Sequence, residues 1–161
     1  MQAATSPRTK LRTEIEQRFL PLVRERGFKG PTKLNGNRTF HDFIRPTPDG
    51  RQCLSIQFEK YRKPRVILDL TIEPPGGFEN SARDGATHVQ GRVTWKPGGK
   101  KRSWFRADRP LWQRLLGRRS TIESAAVAAM ISCLEEIDQW WQTQAESTHI
   151  RVLRHTYPPP A

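Results

Sequence analysis

The sequence predicts an α+β domain of two layers: a mostly antiparallel meander sheet of four to five strands, with an N-terminal helix and a long C-terminal helix packed on one face. Three observations predict it. Two segments, one toward each end, repeat apolar residues at helical spacing. Between them several segments alternate apolar and polar residues with period two. Short Pro/Gly turns between successive strands favour a meander over crossover units. A chain of 161 residues matches one domain and should bury about 70% of its extended surface.

Residues 1–8 read as a disordered lead, 9–144 as the domain and 145–161 as a flexible tail ending in Pro158-Pro159-Pro160. The first helix runs from about Thr9 to Arg26, with Leu11, Ile15, Phe19, Leu22 and Val23 on one stripe. Pro21 removes a backbone donor and crowds the carbonyl four residues back, so a kink is expected near Gln17–Leu20. Gly27 stands just past the helix end, followed by apolar Phe28.

Thr39–Arg45 reads as an irregular first strand, and Pro46–Gly50 as a loop. Leu54, Ile56 and Phe58 alternate with Ser55, Gln57 and Glu59. After a turn at Lys63-Pro64, Val66, Leu68, Leu70 and Ile72 alternate with Ile67, Asp69, Thr71 and Glu73 in the clearest strand of the chain. A loop from Pro74 to about Gly85 precedes Val89–Trp95, and Pro97-Gly98-Gly99 turns into a short strand, Ser103–Arg106. The last element is a helix from about Thr121 to Gln144. Ser120 and Glu123 fit a capping box, and Ile122, Ala126, Ala129, Met130, Cys133, Ile137, Trp140 and Trp141 share an arc of about 120°.

Composition narrows the class. Hydrophobic residues make up 35% and charged residues 27%, too apolar for disorder and too polar for a membrane protein. The longest aliphatic run, Ala125–Ile131, has seven residues against the roughly 20 of a membrane span. No apolar segment follows the N-terminus, so a cytoplasmic protein is expected. Cys53 and Cys133 lie in apolar patterns and read as reduced core residues.

Charge provides the first candidate site. The net charge is +12, and it is uneven. Residues 92–119 hold ten basic residues against Asp108 alone: Arg92, Lys96, Lys100, Lys101, Arg102, Arg106, Arg109, Arg114, Arg118 and Arg119. Trp95, Trp104, Phe105 and Trp112 are interleaved. Cations pair with phosphates and aromatic rings stack on unpaired bases, so these basic residues and Trp104 form a candidate binding segment. A solvated basic face is the plain alternative, with Trp95 and Trp112 in the core. The second candidate is the polar sheet face, where Glu59, Asp69 and His88 could meet as an acid–base or metal cluster of a hydrolase or nuclease; an ordinary water-facing sheet surface is the alternative. No residue is assigned as a metal ligand and no cofactor is expected. His41, His149 and His155 have no ligand partners at metal spacing, and the cysteines lack an activating neighbour.

Glu14–Phe28, with Phe19-Leu20-Pro21-Leu22-Val23 and the closing Gly27-Phe28, then Phe40, Leu54–Tyr61 and Ile67–Ile72, together resemble the bacterial domain-of-unknown-function 4304 family. The likeness covers about residues 11–73 and rests on apolar spacing. It implies a small cytoplasmic α+β domain with no established activity. Some bacterial domains of this size serve immunity or defence, by analogy of size alone. The function expected is a non-enzymatic binding domain for an acidic partner, a protein in an immunity-like or regulatory role, with nucleic acid as the alternative partner and no membrane.

Overall fold

Helix α1 (Pro7–Glu14) opens on a serine cap: the Thr9 amide donates to Ser6 Oγ (3.2 Å), and Pro7, whose φ is already helical, takes the first position. The computed structural model describes residues 5–78, 87–96, 103–108 and 122–156. Pro7 and Arg8 therefore belong to the helix and not to the lead expected over 1–8. The irregularity expected before Pro21 takes the form of a π-turn. Ile15–Phe19 widens until the Leu20 amide reaches the Ile15 carbonyl, five residues back. The wide turn accommodates a proline that cannot donate to residue 17 and crowds its carbonyl. α2 (Leu20–Glu25) ends as Gly27 was expected to end it. Gly27 is left-handed (φ 85°), its amide donates to Arg24 O (2.8 Å), and the Phe28 amide donates to Val23 O (3.4 Å).

β1 (Phe40–Thr47) and β2 (Gly50–Phe58) pair antiparallel around the two-residue turn Pro48–Asp49. Pro46 lies in β1 instead of in the expected loop. An edge strand tolerates the missing donor, and this edge is further occupied by Lys29, which exchanges two backbone hydrogen bonds of 2.8 Å with Ile44. β3 (Arg65–Glu73) is central. It pairs with β2 on one side; on the other it pairs with β4 (Thr87–Val93) and, at its start, with β5 (Phe105–Arg106).

The C-terminal helix is two helices. α3 (Ile122–Ser132) and α4 (Leu134–Thr143) meet at Cys133, where the Cys133 amide donates to Met130 O (3.2 Å) in a tightened turn and Ser132 Oγ donates to Ala129 O (2.8 Å). Ser120 and Thr121 lie outside the described residues, so the expected capping box does too. The tail expected over 145–161 is corrected by β6 (Ile150–Thr156), which pairs antiparallel with β4 along its whole length. A carboxylate builds the turn into β6. Glu136 on α4 accepts from Ser147 Oγ (2.6 Å) and the His149 amide (2.9 Å), and its second oxygen meets His149 Nδ1 (2.5 Å).

The resulting sheet has the order β1-β2-β3-β4-β6, with β5 beside β3. The helices cover one face, as expected. Leu54, Ile56 and Phe58 of β2, Val66, Leu68 and Leu70 of β3 and Val93 of β4 join Leu11, Phe19, Val127, Met130, Ile137 and Trp140 in one buried cluster. Arg26 ties α2 to α4 through Asp138 (2.8 Å). Gly91 admits the largest of these side chains: a Cβ there would stand 2.7 Å from Cε2 of Trp140. Trp140 and Trp141 are thus core residues. Cys133 is buried with them, whereas Cys53, expected in the core, faces the other side of the sheet and is half-buried; both are free thiols. Among the described residues no helix is long and apolar enough to cross a membrane.

Candidate functional site

The open face of the sheet is organised in rows by the strand register. One row crosses five strands: Asp42, Ser55, Asp69, Arg92 and Arg151. Ser55 Oγ donates to Asp42 Oδ1 (2.5 Å). Arg92 grips Asp69 with two hydrogen bonds of 2.7 and 3.0 Å, and this bidentate bond raises the Arg92 pKa. Asp69 is only 7% exposed and neighbouring Ile67 4%, so the middle of this face is less open than plain alternation implies. At one end of the face the rings of His88 and His155 stack with centroids 5.1 Å apart, and Phe78 lies against His88.

The register separates Glu59, Asp69 and His88. The Glu59 amide donates to Arg65 O (3.1 Å), four residues before Asp69 on β3. His88 lies two residues past the Thr71–Gln90 pair, level with Glu73 and four residues beyond Asp69. Four residues of strand span about 13 Å, so the three side chains do not assemble an acid–base site. Each has other work. The Glu59 carboxylate accepts from the amides of Tyr61 (2.8 Å) and Lys63 (3.3 Å), Asp69 holds Arg92, and His88 packs between rings. Among the described residues no three His, Cys, Asp or Glu side chains are grouped to hold a metal ion.

Of the basic segment, Arg92, Lys96, Trp104 and Arg106 are described. Lys100, Lys101, Arg102, Arg109, Arg114, Arg118 and Arg119 lie outside the described residues. Arg92 is bound to Asp69. Arg106 shares Asp108 with Arg65 in a three-member cluster. Burial pushes the Asp108 pKa up, but hydrogen bonds from both arginines outweigh it and the net shift is downward. Lys96 is exposed, with its ammonium 5.8 Å from the Trp95 ring, and Trp104 is half-buried.

A second basic region lies at the β2–β3 hairpin. Lys60, Tyr61, Arg62 and Lys63 form its exposed turn, and Tyr61 is 81% exposed. No carboxylate is within ion-pair distance of Lys60, Arg62 or Lys63 among the described residues. The turn is built from inside. Besides the two amides held by Glu59, Arg62 adopts a left-handed conformation (φ 60°), and Arg8 Nη1 donates to Glu59 O (2.9 Å) while its guanidinium lies 5.3 Å over the Phe58 ring. Burial lowers the Arg8 pKa, Glu59 opposes this, and the charges of Arg12 and Arg62 lower it further. The loop before β1 converges on the same end. A Cβ on Gly36 would collide with the Arg12 guanidinium, and Thr39 O accepts from the Phe58 amide (2.8 Å), placing exposed Arg38 and Phe40 beside the hairpin. Phe40 (53%) and Tyr61 are the exposed large hydrophobics of the described residues, and both stand at this end. Reading by charge density favoured residues 92–119. The signal at the hairpin was shorter, an aromatic between cations in a turn, and its meeting with Arg8, Arg12 and Arg38 depends on the fold.

Comparison of the chain with protein-family models, with curated proteins and with solved structures finds no match. What fold and site define is an α+β sheet domain covered by helices on one face and bearing a basic, aromatic end.

Proposed function

We propose that the protein is a non-enzymatic binding domain that engages an acidic partner through its hairpin end. One observation carries this: Lys60, Arg62 and Lys63, with Arg8, Arg12 and Arg38 near the same turn, stand at the end of the sheet that exposes the aromatic rings of Tyr61 and Phe40. Aromatic and arginine side chains are the groups that most often anchor interfaces, and unpaired cations attract a polyanion at long range. The sequence favoured an acidic protein, in an immunity-like or regulatory role, over nucleic acid. The pairing of exposed rings with cations favours nucleic acid, whose bases and phosphates complement both. The likeness of residues 11–73 to the domain-of-unknown-function 4304 family is compatible with either partner. The free thiols Cys53 and Cys133 fit a reducing, cytoplasmic setting.

Fluorescence anisotropy with labelled oligonucleotides and labelled polyglutamate, from low to physiological salt, tests the proposal. Binding should fall steeply with salt, and the double variant Lys60→Ala/Lys63→Ala should reduce the slope for a single strand by about 1.4, two phosphates' worth of released counterions. Failure of every polyanion to bind at low salt would reject the proposal.

A further inference from the structure

We infer that the β2–β3 turn is a stacking finger for an unpaired base of single-stranded nucleic acid, with Tyr61 as the platform. The inference rests on the acidic-partner reading and names its ligand. Tyr61 projects a ring that is 81% exposed from the tip of a hairpin, where no core demands it. A ring kept in water gains by covering its faces, and a base offers a flat partner whatever its sequence.

The turn is fixed before any ligand arrives. The Glu59 carboxylate accepts from the Tyr61 and Lys63 amides, Arg8 binds the Glu59 carbonyl, and the Glu59 amide closes onto Arg65 O. Arg62 takes up a left-handed conformation, uncommon for a residue with a side chain, which the surrounding hydrogen bonds hold in place. Little ordering is left for binding to supply. Lys60 and Lys63 flank the ring at one and two residues, placing cations where the phosphates on either side of a stacked base would run. Duplex bases are already stacked on one another and hide their faces, so the geometry favours a single strand.

The test measures anisotropy with a labelled mixed-sequence 20-nucleotide single strand, the matching duplex and polyglutamate, using the full chain and the variants Tyr61→Phe, Tyr61→Ala and Glu59→Gln. Circular dichroism melts confirm that each variant folds. The single strand should bind more tightly than the duplex. Tyr61→Ala should weaken single-strand binding about tenfold or more with an unchanged salt slope, whereas Tyr61→Phe should keep it. Glu59→Gln should weaken it less than Tyr61→Ala. Equal binding of Tyr61→Ala and the natural chain, or a duplex bound as tightly as the single strand, would overturn the inference while leaving the acidic-partner reading intact. Binding of polyglutamate alone would also overturn it and return the partner to an acidic protein. Binding of none of the three would reject both readings.

Discussion

The protein uses aromatic residues in opposite ways in two regions. Beneath the helices, Trp140, Phe19, Phe43, Phe58 and Phe105 are fully buried, and the sheet opens a slot for the largest of them at Gly91. At the hairpin end, Tyr61 and Phe40 stand exposed among cations. The first group makes the fold and the second leaves surface unsatisfied. Arginine repeats the contrast: Arg92, Arg65 and Arg106 are bound to Asp69 and Asp108, while Arg62 has no carboxylate within ion-pair distance among the described residues. Charge count alone therefore does not tell which of the described cations the fold leaves without a carboxylate partner.

If the two regions are separate in purpose, stability and binding should separate on mutation. The largest loss of stability is expected from Trp140→Ala, about 3–5 kcal/mol by chemical denaturation, because it leaves a large cavity between α4 and the sheet. Gly91→Ala should cost about 1–3 kcal/mol, since its Cβ overlaps the Trp140 ring. In a Trp140→Ala background that cost should vanish, a coupling measurable by a double-mutant cycle. Asp69→Asn, which removes the charge facing Arg92, should cost roughly 1–2 kcal/mol.

Acid should act through the packed side. His41 is buried edge-on to Phe58 with its Nε2 unpartnered. Burial lowers its pKa below the ordinary 6.5 and repulsion from Arg38 adds to this, together outweighing hydrogen bonds to the Asn35 and Arg38 backbone and attraction to Asp42. The unfolded chain then takes up the proton first. The stability contributed by neutral His41 is full above about pH 6.5 and is lost as pH falls toward the lowered value. Thermal melts at pH 7.5 and 5.5 should differ by a few degrees, and His41→Asn should narrow the gap without abolishing it, because burial and His155 lower the His88 pKa in the same direction.

The smallest stability effects belong to the hairpin end. Tyr61→Ala and Lys60→Ala/Lys63→Ala should change unfolding free energy by less than about 0.5 kcal/mol, although both should alter binding. A hairpin variant that destabilises as much as Gly91→Ala would erase the contrast between the regions.

Much of the fold was legible in local pattern. Period two placed the middle of β2 and β3, and Gly27-Phe28 marked the end of α2. Ser6-Pro7 carried a helix start that apolar spacing alone missed. β6 was hidden because only Ile150 and Val152 of its visible pattern face the core, and because its turn depends on Glu136, a residue on another element. Pro46 read as loop because its tolerance comes from lying on an edge. In the candidate site, Glu59, Asp69 and His88 fall at the polar positions of the alternating pattern. Their separation is a matter of register, which no single strand contains.

The residues alone determined the α+β class, the helix-covered face of the sheet and the basic excess. Each follows from periodicity or composition, properties that a chain carries at short range. Only the tertiary structure decided which charges are compensated. Asp69 meets Arg92 and Asp108 meets Arg65 across strands, through contacts between residues distant in sequence. The same long-range packing brings Arg8, Arg12 and Arg38 to the turn at Tyr61, because α1 and the loop before β1 are held against the end of β2.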